Sequence, residues 1–474
     1  GSFNNLADLS DLEALVVKMI SALGMLSGHS TLAVDPANNP DETTYADAGV
    51  VGVSADNLLA VNAQLRLESD TANKDSLSEL QGLVAAGNAA LSYLLSDVAP
   101  LTTAPVAGSE GTGELSVDAQ LAAYAAAGVV GVSADNVLAV NAQLRLESDT
   151  ANKDSVGDIQ AIVALADAAL VYINNTVAPE IDDSTLSTSD QLAAYAAVGV
   201  VGVSADNVLA VNAQLRLESD TTAKDSVGDI QAIVALADAA LVYINNTVAP
   251  EIDDTTLSTS DQLAAYAAAG VLGVSADNLL AVNAQLRLES GAANKDSVGD
   301  IQAIVTLADA AIAKIETHTA DPATLTVADY EAVGVTGVDD TTGTDNLGAV
   351  NAQVLLAADG DANSVVDIQG LVTSGNDALS YLVSHVQVET YALDDVSSSA
   401  AVLTTTEQLA AYAAAGIVNV TLANLLAVNA QMRLEMNGDD KDSVNELQAI
   451  VGLADAAVAK IESYNNSDGS SSLA

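Results

Sequence analysis

The sequence predicts an all-α fold, a tandem array of six three-helix bundles joined head to tail by extended linkers. Three observations predict it. The string VNAQ occurs six times, with its Asn at Asn62, Asn141, Asn212, Asn283, Asn351 and Asn429. Residues 153–183 are identical to residues 224–254. Within a copy, apolar residues recur at helical spacing between Ser, Asp and Gly stops. The copies stand 68 to 79 residues apart, beyond the roughly 20–50 of common solenoids. Such a copy is long enough to bury a small core of its own, which predicts beads on a string.

The copy at 187–245 shows the elements in order. The first helix is SDQLAAYAAVG, with Ser189 as N-cap and Gly199 as the left-handed stop. The second starts at Ser204, in SADNVLAVNAQLRLE, where Ser204 and Asp206 suit the helix N-terminus. Val208, Leu209, Val211, Leu215 and Leu217 supply most of its apolar face. After the loop SDTTAKD, the third helix starts at Ser226, and Asp229 completes a capping box. It runs to about Asn245 on a stripe of Ile230, Ile233, Val234, Leu236, Ala237, Ala240 and Leu241. Linkers such as TVAPEIDDSTLST carry Pro, Thr and Asp without a helical period. Three helices per copy bring the chain out at the opposite end of the bundle, so copies string out in file.

The N-terminal stretch ADLSDLEALVVKMISALGML matches the third helix alone, as in DSLSELQGLVAAGNAALSYL at 75–94. The expected organisation is therefore the last helix of a preceding repeat at 1–30, then repeats at 31–96, 97–175, 176–246, 247–316, 317–385 and 386–464, and a tail at 465–474.

Composition excludes several function classes. Thirteen Lys and Arg face 64 Asp and Glu, a net charge of -51. That field repels nucleic acid and anionic membrane surfaces. An apolar content of 50% and a mean hydropathy of +0.31 are too high for a disordered polyelectrolyte. The chain has no cysteine, hence no disulfide and no thiolate chemistry. The apolar stretch 12–26 carries Glu13 and Lys18 and is shorter than the roughly 20 residues of a bilayer span. No membrane insertion is expected. His29, His318 and His385 fall in different linkers or helix ends and do not recur, so no nucleophilic triad is supported. No phosphate-binding Gly loop appears, and the reading is that the chain is not an enzyme.

Four recurrent features are candidate sites. The loop between second and third helices is rich in oxygen ligands, and in the fifth copy Asp359, Asp361, Asn363 and Asp367 give a D-x-D-x-N start with a further acid. Oxygen ligands in that density suit Ca²⁺. Gly291 in the fourth copy and a lysine inside most copies of the loop argue for a plain capping loop instead. Arg66, Arg145, Arg216, Arg287 and Arg433 each precede a Glu by two residues, and Lys74, Lys153, Lys224, Lys295 and Lys441 follow in the loop. The fifth copy lacks all three charges, with Leu355 and Ala357 in place of Arg and Glu, which predicts one local ion network. A Tyr stands four residues before the Gly in every copy, at Tyr45, Tyr124, Tyr195, Tyr266, Tyr330 and Tyr412, and is expected in the core with its hydroxyl at the rim. The Asn and Gln of VNAQ read as hydrogen-bonding groups between helices or to loops.

The segments LTVADYEAVGVTGVDD and TDNLGAVNAQ, within 325–353, resemble the helical tandem repeats of giant secreted adhesins of Gram-negative bacteria. More distantly, the helix–AAGV–helix pattern resembles the three-helix GA module of bacterial surface proteins. The resemblance implies an extracellular location on the bacterial cell surface and an extender role. It also implies Ca²⁺ as a candidate cofactor, although none is required by the residues themselves.

The expected function is a structural extender of a large adhesin or biofilm surface protein, its partners the flanking repeats of the same chain. The alternatives are an array of GA-like modules that bind a host or matrix protein, and a self-associating surface filament or surface layer.

Overall fold

The structure is a computed structural model describing residues 6–29, 39–100, 115–182, 184–251, 256–318, 325–341, 343–358, 360–386, 403–435 and 441–467. Among these residues the chain is all-helical, with no strand. It divides into two compact units, Gly1–Ala239 with Ala268–Gly270, and Ala240–Ala267 with Val271–Ala474.

The helices recur as a short first, a ten-residue second and a long third. The N-terminal helix α1 (Leu6–Gly28) is followed by α2 (Glu42–Asp47), α3 (Leu58–Leu67) and α4 (Leu77–Tyr93). Then come α5 (Val117–Ala126), α6 (Val137–Leu146) and α7 (Val156–Tyr172), and α8 (Thr188–Ala197), α9 (Val208–Leu217) and α10 (Val227–Tyr243). The remaining sets are α11 (Thr259–Ala268), α12 (Leu279–Leu288) and α13 (Val298–Glu316); α14 (Val327–Ala332), α15 (Leu347–Leu356) and α16 (Val365–Tyr381); and α17 (Thr405–Ala414), α18 (Leu425–Leu434) and α19 (Val444–Ser467).

Local chemistry sets where these helices start. The Ser226 hydroxyl accepts the Asp229 N–H at 3.1 Å and donates to its carboxylate at 2.6 Å, and the matching Ser155 and Asp158 form the full capping box. The first helix α8 is capped by Ser187, which accepts from Asp190 N–H, and not by Ser189. The second helix α9 starts at Val208, four residues later than expected, because Asn207 ties down the turn before it. The Asn207 Oδ1 accepts the Ser204 N–H, and its Nδ2 donates to the Gly202 carbonyl and to Asp238 on the third helix. Two residues placed on apolar faces are exposed instead, Leu217 at 58% and Leu236 at 56%.

The third helices end in a π-turn at Leu94–Val98, Ile173–Val177 and Ile244–Val248. That turn carries the helix past the boundaries expected at 96, 175 and 246, because the widened turn delivers Val98, Val177 and Val248 into the core. The linker after Val177 is not extended at its start. The Glu180 N–H donates to the Val177 carbonyl at 3.0 Å, and Ala178 closes the π-turn on Ile173. Residues 101–114, 252–255, 319–324 and 387–402 of the linkers, and 468–474 of the expected tail, lie outside the described residues.

Two of the hydrophobic cores draw on more than one set of helices. In the first unit one core joins Ala22 and Leu26 of α1 to Tyr45, Val61, Leu65, Leu80 and Val84. In the second unit Ala349, Leu379 and Leu382 from one set of helices share a core with Tyr412, Val428, Leu447 and Val451 from the next. Neighbouring sets also approach through backbone. Gly128, at the end of α5, has φ +77°, and a Cβ there would lie 2.5 Å from the carbonyl oxygen of Leu59 on α3. The same approach recurs where Gly199 meets Leu138 and Gly334 meets Leu280. A small residue in a left-handed turn lets the end of one helix touch the first turn of another.

Gly128→Ala is therefore expected to cost about 2–4 kcal/mol in urea unfolding, from left-handed strain plus backbone overlap. Gly82→Ala on α4, where a Cβ meets nothing within 4 Å, should instead stabilise by about 0.5–1 kcal/mol.

Candidate functional site

The polar groups that recur in most or all copies converge on the joints of the fold. The buried tyrosine forms the first joint. Its hydroxyl is not at the rim, because Tyr124, Tyr195 and Tyr266 are 1% exposed and donate to Asn141, Asn212 and Asn283 at 2.6–2.7 Å. Each Asn passes the chain on to Gln120, Gln191 or Gln262 of the first helix. Those glutamines donate in turn to the carbonyls of Leu115, Leu186 and Leu257. Tyr45, Tyr330 and Tyr412 pair likewise with Asn62, Asn351 and Asn429. Burial pushes all six phenols well above the ordinary tyrosine value, so each stays a neutral donor.

A second joint uses a glutamine that the sequence reading passed over. Gln81 and Gln160 on the third helix each receive a backbone N–H and donate to the carbonyl of the same residue, Val51 and Val130. Gln231, Gln302, Gln369 and Gln448 clasp Val201, Leu272, Thr336 and Val418 in the same way. Recurrence five residues after the capping Ser was the available signal.

The expected ion network is replaced by three separate attachments to backbone. Lys74, fully buried, donates to the carbonyls of Leu65, Glu68 and His29 at 2.7–3.2 Å. Lys224 and Lys295 hold the matching carbonyls at the ends of α9 and α12. An ammonium there satisfies helix-end acceptors and opposes the negative end of the dipole. Arg216 and Arg287 donate to linker carbonyls instead, of Ala178 and Glu180 and of Ala249 and Glu251. Burial pulls both guanidinium values down, and the neighbouring tyrosine works against it. The Glu carboxylate caps the loop, as Glu147 does by accepting the Asp149 N–H. In the fifth copy the buried Ala362 stands two residues before the capping Ser, where the others have Lys.

Of the Ca²⁺ candidates, Asp361, Asn363 and Asp367 fall among the described residues, where each is placed by local contacts or solvent. Asp367 is taken up by the helix cap, accepting from Ser364 at 2.6 Å, and Asp361 accepts the Ala358 N–H at 3.3 Å. Asn363 is exposed, and Asp359 lies outside the described residues. No cluster of three or more His, Asp or Glu suited to a metal occurs among the described residues. His385 stacks on Tyr381 at 4.6 Å and meets its neighbour Ser384 at 2.7 Å, an exposed local pair.

Two further features have no counterpart in the sequence reading. A cavity of about 720 Å³ in the second unit is lined by Leu325, Asp340, Asp345, Leu347 and Val444, beside Gly348. Gly348 stands where other copies have Leu59, Leu138, Leu209, Leu280 and Leu426. Burial raises the Asp345 carboxyl above its usual value. Two helices, Val156–Val177 and Val227–Val248, are long and apolar enough to cross a bilayer. A core helix passes the same test, and Ile159, Val163 and Ala166 of the first are buried against protein.

The recurring tyrosine, asparagine, glutamine and lysine groups thus bond to one another and to backbone, whereas the buried Oδ1 of Asn174 and Asn245 and an Nη of Arg433 have no hydrogen-bond partner among the described residues. In both units the second helix of one set reaches the next. Gln64 and Gln143 donate to Ala126 and Ala197 in the first unit, and Gln285 and Gln353 to Ala332 and Ala414 in the second. The N–H groups of Val156 and Val227 reach back to the carbonyls of Asp56 and Asp135, and those of Val365 and Val444 to Asp277 and Asp345. No family model matches the chain, and neither a curated protein nor a solved structure matches it.

Lys74→Met keeps the apolar stem and removes the ammonium. It is expected to cost about 1.5–3 kcal/mol, because charge-assisted bonds to buried carbonyls are lost. Lys18→Met, at a lysine whose side chain is 59% exposed, should cost below about 1 kcal/mol, both costs being read by urea unfolding.

Proposed function

We propose that this chain is a structural extender, a stalk segment of a large extracellular bacterial adhesin or biofilm surface protein, and not an enzyme. The observation that carries the reading is the repeated junction. The same glycine approach, the same glutamine bond and the same Val N–H bond return from copy to copy. A joint that repeats lets copy number set length without new contacts. In this reading the helices form six three-helix repeats in file, and the linkers carry the chain forward between them. The net charge of -51 keeps such a stalk soluble and away from nucleic acid and anionic bilayers.

A second reading, an array of protein-binding modules, draws on one observation. Leu165, Leu236, Leu307 and Leu453 stand at the same place on their third helices and are 56–61% exposed. A repeated exposed leucine is what a multivalent partner would engage.

Small-angle scattering on chains of six and eight repeats separates an extender from a folded-back array. A stalk should lengthen its radius of gyration by roughly one third, against roughly one tenth for compact scaling. An increase near one tenth would overturn the proposal.

A further inference from the structure

The copies align with one another, so a copy that departs from the pattern can be read against its neighbours. The fifth departs around the start of α15. Extra residues precede that helix, since Tyr330 and its partner Asn351 stand 21 apart in sequence where Tyr124 and Asn141 stand 17 apart. Gly348 replaces a leucine, and Leu355 replaces an arginine. The sixth copy, packed against it, departs as well, with Asn419 and Asn445 where the second has Gly131 and Gly157. Gly348, Leu355, Asn419, Asn445 and, from the added residues, Asp340 all line the cavity of about 720 Å³ in the second unit.

Most of that lining is apolar, with Leu325, Leu347, Ile417, Val420 and Val444 as carbon walls. Asp345 supplies the charge. It is 6% exposed, whereas Asp56, Asp135, Asp206 and Asp277 at the same place in other copies are exposed. The Leu347 N–H donates to its Oδ1 at 3.1 Å and fixes the carboxylate in position. Burial first, and then the charges of Asp340 and Asp339, raise this carboxyl above its ordinary value, against the pull of the Leu347 N–H. No Lys, Arg or His stands among the described residues that line the cavity. The arginine that the other copies carry on this helix is Leu355 in the fifth.

A buried carboxylate with no cation beside it, held against carbon walls, selects a positive head on an apolar body. A bare Ca²⁺ ion fits less well, because it asks for roughly six to eight oxygens, and one oxygen of Asp345 already serves Leu347. We propose that this cavity binds a small organic cation, an ammonium group on an aliphatic or aromatic body, with Asp345 as its counter-charge and Leu347, Leu355 and Ile417 around the apolar part. The volume lies within the roughly 300–1,000 Å³ of small-molecule sites. The other copies, with Leu and Arg in place of Gly348 and Leu355, are expected not to bind. The site rests on the fifth junction and not on the stalk reading, so either can fail alone.

The test is calorimetric titration of the full chain at about 0.15 M salt, which screens the surface charge. The probes are phenethylammonium, its neutral counterpart phenethyl alcohol, and the anion phenylacetate. About one phenethylammonium should bind per chain, about tenfold or more tighter than phenethyl alcohol, and phenylacetate should not compete. Asp345→Asn keeps an acceptor for Leu347 and should weaken phenethylammonium about tenfold or more. Asp135→Asn, at the exposed counterpart in the second copy, should leave binding unchanged. Leu355→Arg restores the residue of the other copies and should block the site, which keeps the test open if Asp345→Asn disturbs the fold. Phenethylammonium that does not bind, that binds both variants as well as the unaltered chain, or that binds no better than phenethyl alcohol overturns the proposal. Its displacement by micromolar Ca²⁺ overturns it too, since the site would then be a metal's.

Discussion

Where the first helix of one copy ends, its backbone presses on the first turn of a helix in the copy before it, with no side chain between. Gly128 makes this contact against Leu59, and its φ of +77° both ends α5 and brings the turn into reach. The polar bonds around it follow from that approach. Gln64 can reach the Ala126 carbonyl, and Val156 the Asp56 carbonyl, because the two backbones already touch. Apolar residues such as Leu94 are then covered by the following copy. A core rich in alanine is small, and sharing it across a junction offsets what each copy lacks alone.

The scarce cations are spent on backbone. With 13 basic residues against 64 acidic ones, ion pairing could neutralise little of the charge. Lys74, Lys224 and Lys295 instead close the carbonyl ends of second helices, and Arg216 and Arg287 hold linker carbonyls. The Leu65 carbonyl is buried and the others are partly so, and leaving such acceptors unpaired costs more than an exposed ion pair returns. The acidic surplus is left in solvent, where counterions screen it.

Local features were legible in the sequence and distant ones were not. The cap that Ser226 makes with Asp229 lies within one turn, so spacing alone reveals it. The start of α9 was misplaced because Asn207 is fixed by Asp238, 31 residues away, and no local signal distinguishes it from Ser204. The tyrosines were placed in the core correctly, but their partner Asn lies 17 residues on in most copies and on another helix. Charges appearing and vanishing together suggested one network. They vanish together in the fifth copy, yet Lys and Arg act on separate carbonyls. The Ca²⁺ reading of Asp359, Asp361, Asn363 and Asp367 counts oxygens along the loop; the helix cap engages Asp367, a contact that spacing alone does not reveal, and Asp359 lies outside the described residues.

The central claim is that a copy depends on its neighbour. Thermal and urea unfolding of residues 179–250 alone, beside residues 101–250, tests it most directly, since both keep the buried Val248. The account requires the single copy to lack a cooperative transition and the pair to regain one, since the pair restores the contacts of Gly199 with Leu138 and of Gln143 with Ala197. A single copy that melts as cooperatively as the pair, and at the same temperature, would contradict it.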